Sequence, residues 1–220
     1  MNNLLMLACK SENIEIIKYL IRLGIDPLTK NKYGNTCLHL STYHNNFCCV
    51  GTILSYYEAL NEQNKIKEIL NIQNDDGDTV LHIAAKYNYI NLTLLFISYQ
   101  IRNNIKINFT KNNSGLTPIQ LAIKNHNFTI PLIYIKFYEL DYSSLLSLKN
   151  LEIEDELESF LYSYDSKFLD NEKEMIEEKF KGISYFKNEK EHADFDSKKI
   201  DEELKEYKSY NYDFFQRNKI

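Results

Sequence analysis

Five thiol and imidazole side chains fall within thirteen residues, Cys37, His39, His44, Cys48 and Cys49, and zinc is the ion such a set could hold. The stretch has no Cys-x-x-Cys pair to start such a site, so no metal is expected. Asp75, Asp76 and Asp78 faintly suggest calcium, but they lack the glycine and distal glutamate of a twelve-residue calcium loop. Acids presented to a partner fit them better. Covalent catalysis needs a nucleophile with an activating base and an oxyanion site. Cys9 and Cys49 stand at helix-packing positions instead, and the six glycines form no phosphate-cradling group. No catalytic residue and no cofactor are assigned, and the chain is read as not an enzyme.

The elements that must position these residues come from 220 residues, 44% hydrophobic and 13% aromatic, enough for one globular domain with an appendage or for two small ones. The net charge of -5 is unevenly placed. Residues 1–150 carry 14 Lys+Arg against 11 Asp+Glu, and residues 151–220 carry 12 against 20. The two parts therefore differ by sign, about +3 and -8. Only Arg22, Arg102 and Arg217 are arginine, and no basic stripe forms, which disfavours broad contact with nucleic acid. The first twenty residues lack a basic leader region, and no apolar run reaches membrane-spanning length. Four cysteines among apolar neighbours suit buried, reduced thiols, so the expected setting is cytoplasmic or nuclear.

Self-similarity decides the architecture. Three segments align on Gly-x-Thr: Gly34-Asn35-Thr36, Gly77-Asp78-Thr79 and Gly115-Leu116-Thr117, each with Asn three residues before the glycine. A fourth, turnless copy opens the chain at Asn3-Leu4-Leu5-Met6-Leu7-Ala8-Cys9 and ends in Gly24-Ile25-Asp26-Pro27. The equivalent positions 3, 36, 79 and 117 are 33, 43 and 38 residues apart. The glycines permit a positive-φ turn, the threonines can cap a helix, and Ala84, Ala85 and Ala122 allow helices to approach. Ile16, Ile17, Leu20 and Ile21, then Val50, Ile53 and Leu54, give second helices with an apolar face. No single copy can bury such faces, but a stack can.

This pattern resembles the ankyrin repeat, and Thr79-Val80-Leu81-His82-Ile83-Ala84-Ala85 carries the resemblance most fully. It implies an all-α solenoid of helix pairs joined by projecting hairpin turns over residues 1–140, with repeats of about 1–30, 31–73, 74–111 and 112–140. In that register His39 and His82 are structural, and Cys37 takes the place of the family's proline. Glu12 and His126 stand where the family has a helix-ending glycine, whereas Asn45 and Asn88 suit the left-handed backbone better. The long spacings place insertions at 61–68 and 101–106, expected to lengthen the second helices or the loops after them. Pro131 falls early in the last helix, where it is tolerated. The first copy reads as a cap-like unit.

The resemblance also implies a function, which is to hold a protein partner on the hairpin tips and the concave helix face without chemistry. By register the partner-facing residues are Lys10 and Ser11; Lys32, Tyr33, Asn35, Tyr43 and His44; Asp75, Asp76, Asp78, Lys86 and Tyr87; and Asn113, Ser114, Leu116, Lys124 and Asn125. Tyr33, Tyr43 and Tyr87 stand out, because a rigid amphipathic ring gives much contact area at low entropy cost. The stretch from Asn71 to Ala85 is also similar to the central repeat of NF-κB inhibitors and of fungal cell-cycle transcription factors, which implies regulation of a transcription factor as an alternative. A regulatory part of an enzyme is the alternative of another class. The chain is expected to be a monomer.

Residues 141–220 read as an acidic, helical and partly disordered tail. Its amphipathic stretches are Leu157, Phe160, Leu161 and Tyr164; Met175, Ile176, Phe180 and Ile183; and Ile200, Leu204 and Tyr207. The first of them is expected to cover the end of repeat four.

Overall fold

The structure is a computed structural model that describes residues 2–105 and 110–138, with Glu178 alone beyond them. The amphipathic stretches expected between 157 and 207 therefore lie outside the described residues. Among those residues there are nine helices and no strand. They are α1 (Leu4–Lys10), α2 (Ile14–Arg22), α3 (Cys37–Tyr43), α4 (Phe47–Ala59), α5 (Gln63–Asn71), α6 (Val80–Lys86), α7 (Ile90–Arg102), α8 (Pro118–Lys124) and α9 (Thr129–Tyr138).

Each first helix of repeats two to four starts with one device. Thr36, Thr79 and Thr117 stand in extended backbone as N-caps, and the third helical residue reaches back to the cap's own N–H. That acceptor is His39 Nδ1 at 3.2 Å, His82 Nδ1 at 3.2 Å and Gln120 Oε1 at 2.9 Å. Asparagines cap α1, α2 and α4: Asn3, Asn13 and Asn46 accept from the N–H three residues on, at 2.8, 3.0 and 3.0 Å. The helices end as expected, in left-handed residues at Glu12, Asn45, Asn88 and His126, with φ between 52° and 59°.

The helix pairs stack in two layers. α1 packs on α3, α3 on α6 and α6 on α8, while α2 packs on α4, α4 on α7 and α7 on α9. Small residues sit at the seams, with Ala84, Ala85 and Ala122 all buried. The turns stack as well, and the histidines join them. Because Nδ1 accepts from the threonine N–H, the proton sits on Nε2, which donates to a carbonyl of the following turn. His39 Nε2 donates to Asp78 O at 3.1 Å, and His82 Nε2 donates to Leu116 O at 3.0 Å. Burial lowers the His39 pKa to about 4, against the opposing pull of the Asp78 carbonyl. His82 shifts downward for the same leading reason.

Three expectations need correction. Residues 61–68 do more than lengthen a helix or a loop: α4 stops at a left-handed Asn61, and the chain then builds α5, a helix of its own. Its stripe of Ile66, Ile69 and Leu70 is buried against α4, α6 and α7. Cys48 is exposed, unlike Cys9, Cys37 and Cys49, although all four are free thiols. Repeat one is not cap-like, since a cap turns a polar face outward. Leu4, Leu7 and Ile16 are instead 63%, 49% and 46% exposed. By contrast α7 does run on to Arg102, and Pro131 lies in the first turn of α9.

The stacked turns explain the glycines. Gly34 and Gly77 have φ of 69° and 74°, and a Cβ on either would lie 2.6 Å from a backbone nitrogen of the next turn, Asp75 N and Asn113 N. Gly115 shares the backbone conformation at φ 73° but has open space around it. Gly34→Ala and Gly77→Ala should therefore cost about 3 kcal/mol or more in urea unfolding, and Gly115→Ala only about 1 kcal/mol. Equal losses at all three sites would contradict turn stacking.

The histidines set a pH dependence. Unfolded imidazole titrates near 6.5 and folded His39 near 4. Between those values the unfolded chain binds a proton that the fold refuses, so this stability is present above 6.5 and lost as pH falls toward 4. The loss reaches about 3 kcal/mol at the lower end. His39→Gln copies the Gln120 cap, and it should flatten the slope of unfolding free energy against pH in that window. An unchanged slope in the variant would show that His39 is not the group responsible.

Candidate functional site

The side that the resemblance makes concave carries the ends of the first helices. Lys10, Tyr43, Lys86 and Lys124 are the last residues of α1, α3, α6 and α8, and Ser11, His44, Tyr87 and Asn125 are their C-caps. All are exposed except Tyr43, which is half-buried. The helix dipole favours a cation at this end, which suits three lysines in the row of four.

The row's centre is aromatic. Tyr43 and Tyr87 meet edge to face with ring centroids 6.2 Å apart, and Tyr87 stacks on Tyr89 at 5.6 Å. Tyr89 donates its hydroxyl to the Tyr43 carbonyl at 3.4 Å, and Asn74 Nδ2 donates to the Tyr43 hydroxyl at 3.3 Å. Burial, and then the Asp78 and Asp76 carboxylates, raise the Tyr43 pKa. The Tyr43 phenol therefore lies between the helix row and the acidic turn of repeat three. Lys86 Nζ stands 5.7 Å over the Tyr87 ring.

The hairpin tips form the other wall. Lys32, Tyr33, Asp75, Asp76, Asn113 and Ser114 are exposed there, as expected of tips. Tyr33 stands apart from the aromatic cluster, 59% exposed, with Lys32 Nζ 4.7 Å over its ring. Neighbouring tips are tied through backbone: Asp75 N donates to Tyr33 O at 3.2 Å and Asn113 N to Asp76 O at 3.0 Å. Asn113 also spends its side chain there, Nδ2 donating to Asp75 O at 2.8 Å.

Asn35, Asp78 and Leu116 do not face a partner, because all three are buried. Each lies between the turn glycine and the capping threonine, where the chain bends inward to start a helix. Each backbone N–H donates to the Oδ1 of its own turn's Asn31, Asn74 or Asn112, at 3.0, 2.9 and 3.1 Å. The side chains of the first two receive the next turn: Asn74 Nδ2 donates to Asn35 Oδ1 at 3.0 Å and Asn112 Nδ2 to Asp78 Oδ1 at 2.8 Å. Leu116 continues the backbone pattern with an apolar side chain grouped with Leu121. Sequence reasoning passed over Asn74 and Asn112 as structural ties, although their spacing from the glycines was already visible. It also missed Tyr89, whose signal is an aromatic residue at the helix-start position that Asn13 and Asn46 hold in earlier repeats.

The suspected zinc ligands do not converge. Cys37 and Cys49 are buried toward repeat one, their thiols pointing to Pro27 O and Cys9 O at 3.5 and 3.8 Å, and both ring nitrogens of His39 are engaged by backbone. His44 and Cys48 face outward. Among the described residues no three His, Cys, Asp or Glu side chains are grouped as metal ligands would be. Also among those residues, no helix is long and apolar enough to cross a membrane.

Comparison with known proteins agrees with this geometry. An ankyrin protein of fowlpox virus is 29% identical over 186 aligned residues, covering 67% of this chain and 51% of that protein. The NF-kappa-B inhibitor cactus of Drosophila melanogaster is 26% identical, covering 49% of this chain and 25% of its own length. The NF-kappa-B p110 subunit of the same fly is 26% identical, with 56% and 16% covered. The chain thus spans about half the length of the first relative and a quarter or less of the other two. The family model for ankyrin repeats in three copies matches residues 1–65 and 55–137. With that match lying over stacked helix pairs, projecting turns and bridging histidines, the chain belongs to the ankyrin-repeat family.

Proposed function

We propose that this protein is a non-catalytic adaptor or regulator that holds one protein partner between its hairpin tips and the concave ends of its first helices. The aromatic cluster at the centre of that surface carries the reading. Tyr87 is 45% exposed, and it lies against Tyr43 and Tyr89, which hold it in place. A partner that covers it gains apolar contact without ordering a floppy side chain. Asp75 and Asp76 on one side and Lys10, Lys86 and Lys124 on the other supply a polar rim of both signs. Ankyrin repeats are protein-interaction modules, and the family match supports a role of this class.

The test is joint substitution of Tyr33, Tyr43 and Tyr87 by serine in the full chain, followed by affinity capture from cells. Capture of the main partner should fall about tenfold or more. Tyr33→Ser and Tyr87→Ser alone, at exposed positions, should leave the unfolding free energy within about 0.5 kcal/mol. Undiminished capture of every partner by the folded triple variant would overturn the proposal.

A second, narrower reading is control of an NF-κB-type transcription factor, favoured by the similarity to the inhibitor cactus. A purified transcription factor of that class should bind the full chain, and the triple tyrosine variant should lose that binding. Absence of binding at high micromolar concentration would dispose of this narrower reading and leave the adaptor role standing.

A further inference from the structure

Cys9, Cys37 and Ser41 meet at the seam where α1 packs on α3, and none of them is more than 1% exposed. The Cys37 thiol has two acceptors in reach, Pro27 O at 3.5 Å and the Cys9 sulfur. Among the described residues Ser41 Oγ makes no hydrogen bond to oxygen or nitrogen, and its hydroxyl turns to the same sulfur. Cys49 lies close as well, but its thiol donates to the Cys9 carbonyl, at 3.8 Å. By register, Thr42 and Val80 hold the positions of Cys9 and Cys37 at the next seam, and Ala85 and Pro118 hold them at the one after. Of these three seams, the first alone brings two thiols together.

The contact divides the protons between the two sulfurs. The hydrogen bond from Cys37 lowers the Cys9 pKa against the opposing effect of burial, with Ser41 adding to it. The same bond, and then burial, raise Cys37 well above the usual thiol range. Burial pushes Cys49 up to about 12, so it keeps its proton. Cys9 is therefore the sulfur with thiolate character, and a thiol that can resolve its oxidised form stands beside it.

We infer that Cys9 and Cys37 are a redox modification site, closed by hydrogen peroxide into a disulfide that ties repeat one to repeat two. The Cys9 thiolate attacks one peroxide oxygen, the O–O bond breaks, and the departing hydroxide takes the proton that Cys9 gave up, leaving a sulfenic acid and water. The Cys37 sulfur then attacks the Cys9 sulfur. An S–S bond forms, the S–O bond breaks, and the hydroxide leaves as a second water with the Cys37 proton. Two thiols are oxidised and one peroxide is reduced. The oxidant enters when the seam breathes, because α1 is a seven-residue helix, too short to persist without its packing. Once closed, the link holds α1 down on α3. The site stands whether or not the tyrosine cluster captures a partner.

The test uses the full chain carrying Cys48→Ser, which removes the exposed thiol, treated with millimolar hydrogen peroxide. Mass spectrometry follows digestion with chymotrypsin, which cuts between Cys37 and Cys49 at Tyr43 and Phe47. A Cys9 to Cys37 link should be the main product, and dithiothreitol should release it. Amide hydrogen exchange in α1 should slow about tenfold or more on oxidation, with α8 unchanged. Cys9→Ala and Cys37→Val take their side chains from Ala85 and Val80 in the same register. Both should keep the helical circular dichroism and lose the link and the slowing together. Cys9 and Cys37 that stay reduced in peroxide overturn the inference, and so does linkage of Cys9 to Cys49. A Cys9 to Cys37 link that leaves exchange in α1 unchanged overturns the tie between repeats.

Discussion

The array depends on how one hairpin turn rests on the next. A neutral imidazole from repeat two reaches the Asp78 carbonyl, and one from repeat three reaches the Leu116 carbonyl. Each of these rings also accepts the N–H of its own helix cap. One side chain therefore starts a helix and fixes the height of the following turn. A buried histidine can do this only while uncharged, because protonation at Nδ1 would turn an acceptor into a donor facing another donor. Gly34 and Gly77 complete the contact by leaving room for the turn above.

That constraint sorts the surface. The residue after each turn glycine bends inward to start a helix and is buried in all three turns, while the two before it stay open even where their backbones are tied to the neighbouring turn. The same logic places the exposed row at the helix ends, where the last helical residue and its cap point away from the stack. The surface proposed for a partner is therefore narrower than register alone implies. It is centred where Tyr89 props Tyr87 against Tyr43, between repeats two and three.

Much of this was legible in the sequence. Gly-x-Thr, the following His, the alanine pair and the left-handed asparagines each have a local physical meaning, and together they give helix positions, caps and stacking order. What was not legible has a common cause, since it depends on what a neighbouring repeat supplies. Asp78 looks like a tip acid until Asn112 from the next turn is found holding its carboxylate. Residues 61–68 look like a loop or a longer helix until Asn61 ends α4 and three faces, on α4, α6 and α7, are there to cover Ile66, Ile69 and Leu70. Repeat one looks like a cap because its turn is missing, yet its outward leucines show that a missing turn and a polar end face are separate features.

The bridging device also grades stability along the array. Repeats two and three each send a histidine forward, and their first helices end in asparagine, which tolerates left-handed backbone. Repeat four carries Gln120 in place of the histidine, which caps its own helix as well as an imidazole does. Repeat one ends its first helix in left-handed Glu12, which suits that backbone less than the asparagines or His126 do. Local opening in a solenoid begins where neighbour contacts and local propensity are both weakest, and both coincide in repeat one, with Leu4 and Leu7 exposed and Glu12 left-handed. The aromatic cluster lies between repeats two and three, which the His39 bridge joins, so the centre of the proposed binding surface stays formed while repeat one frays.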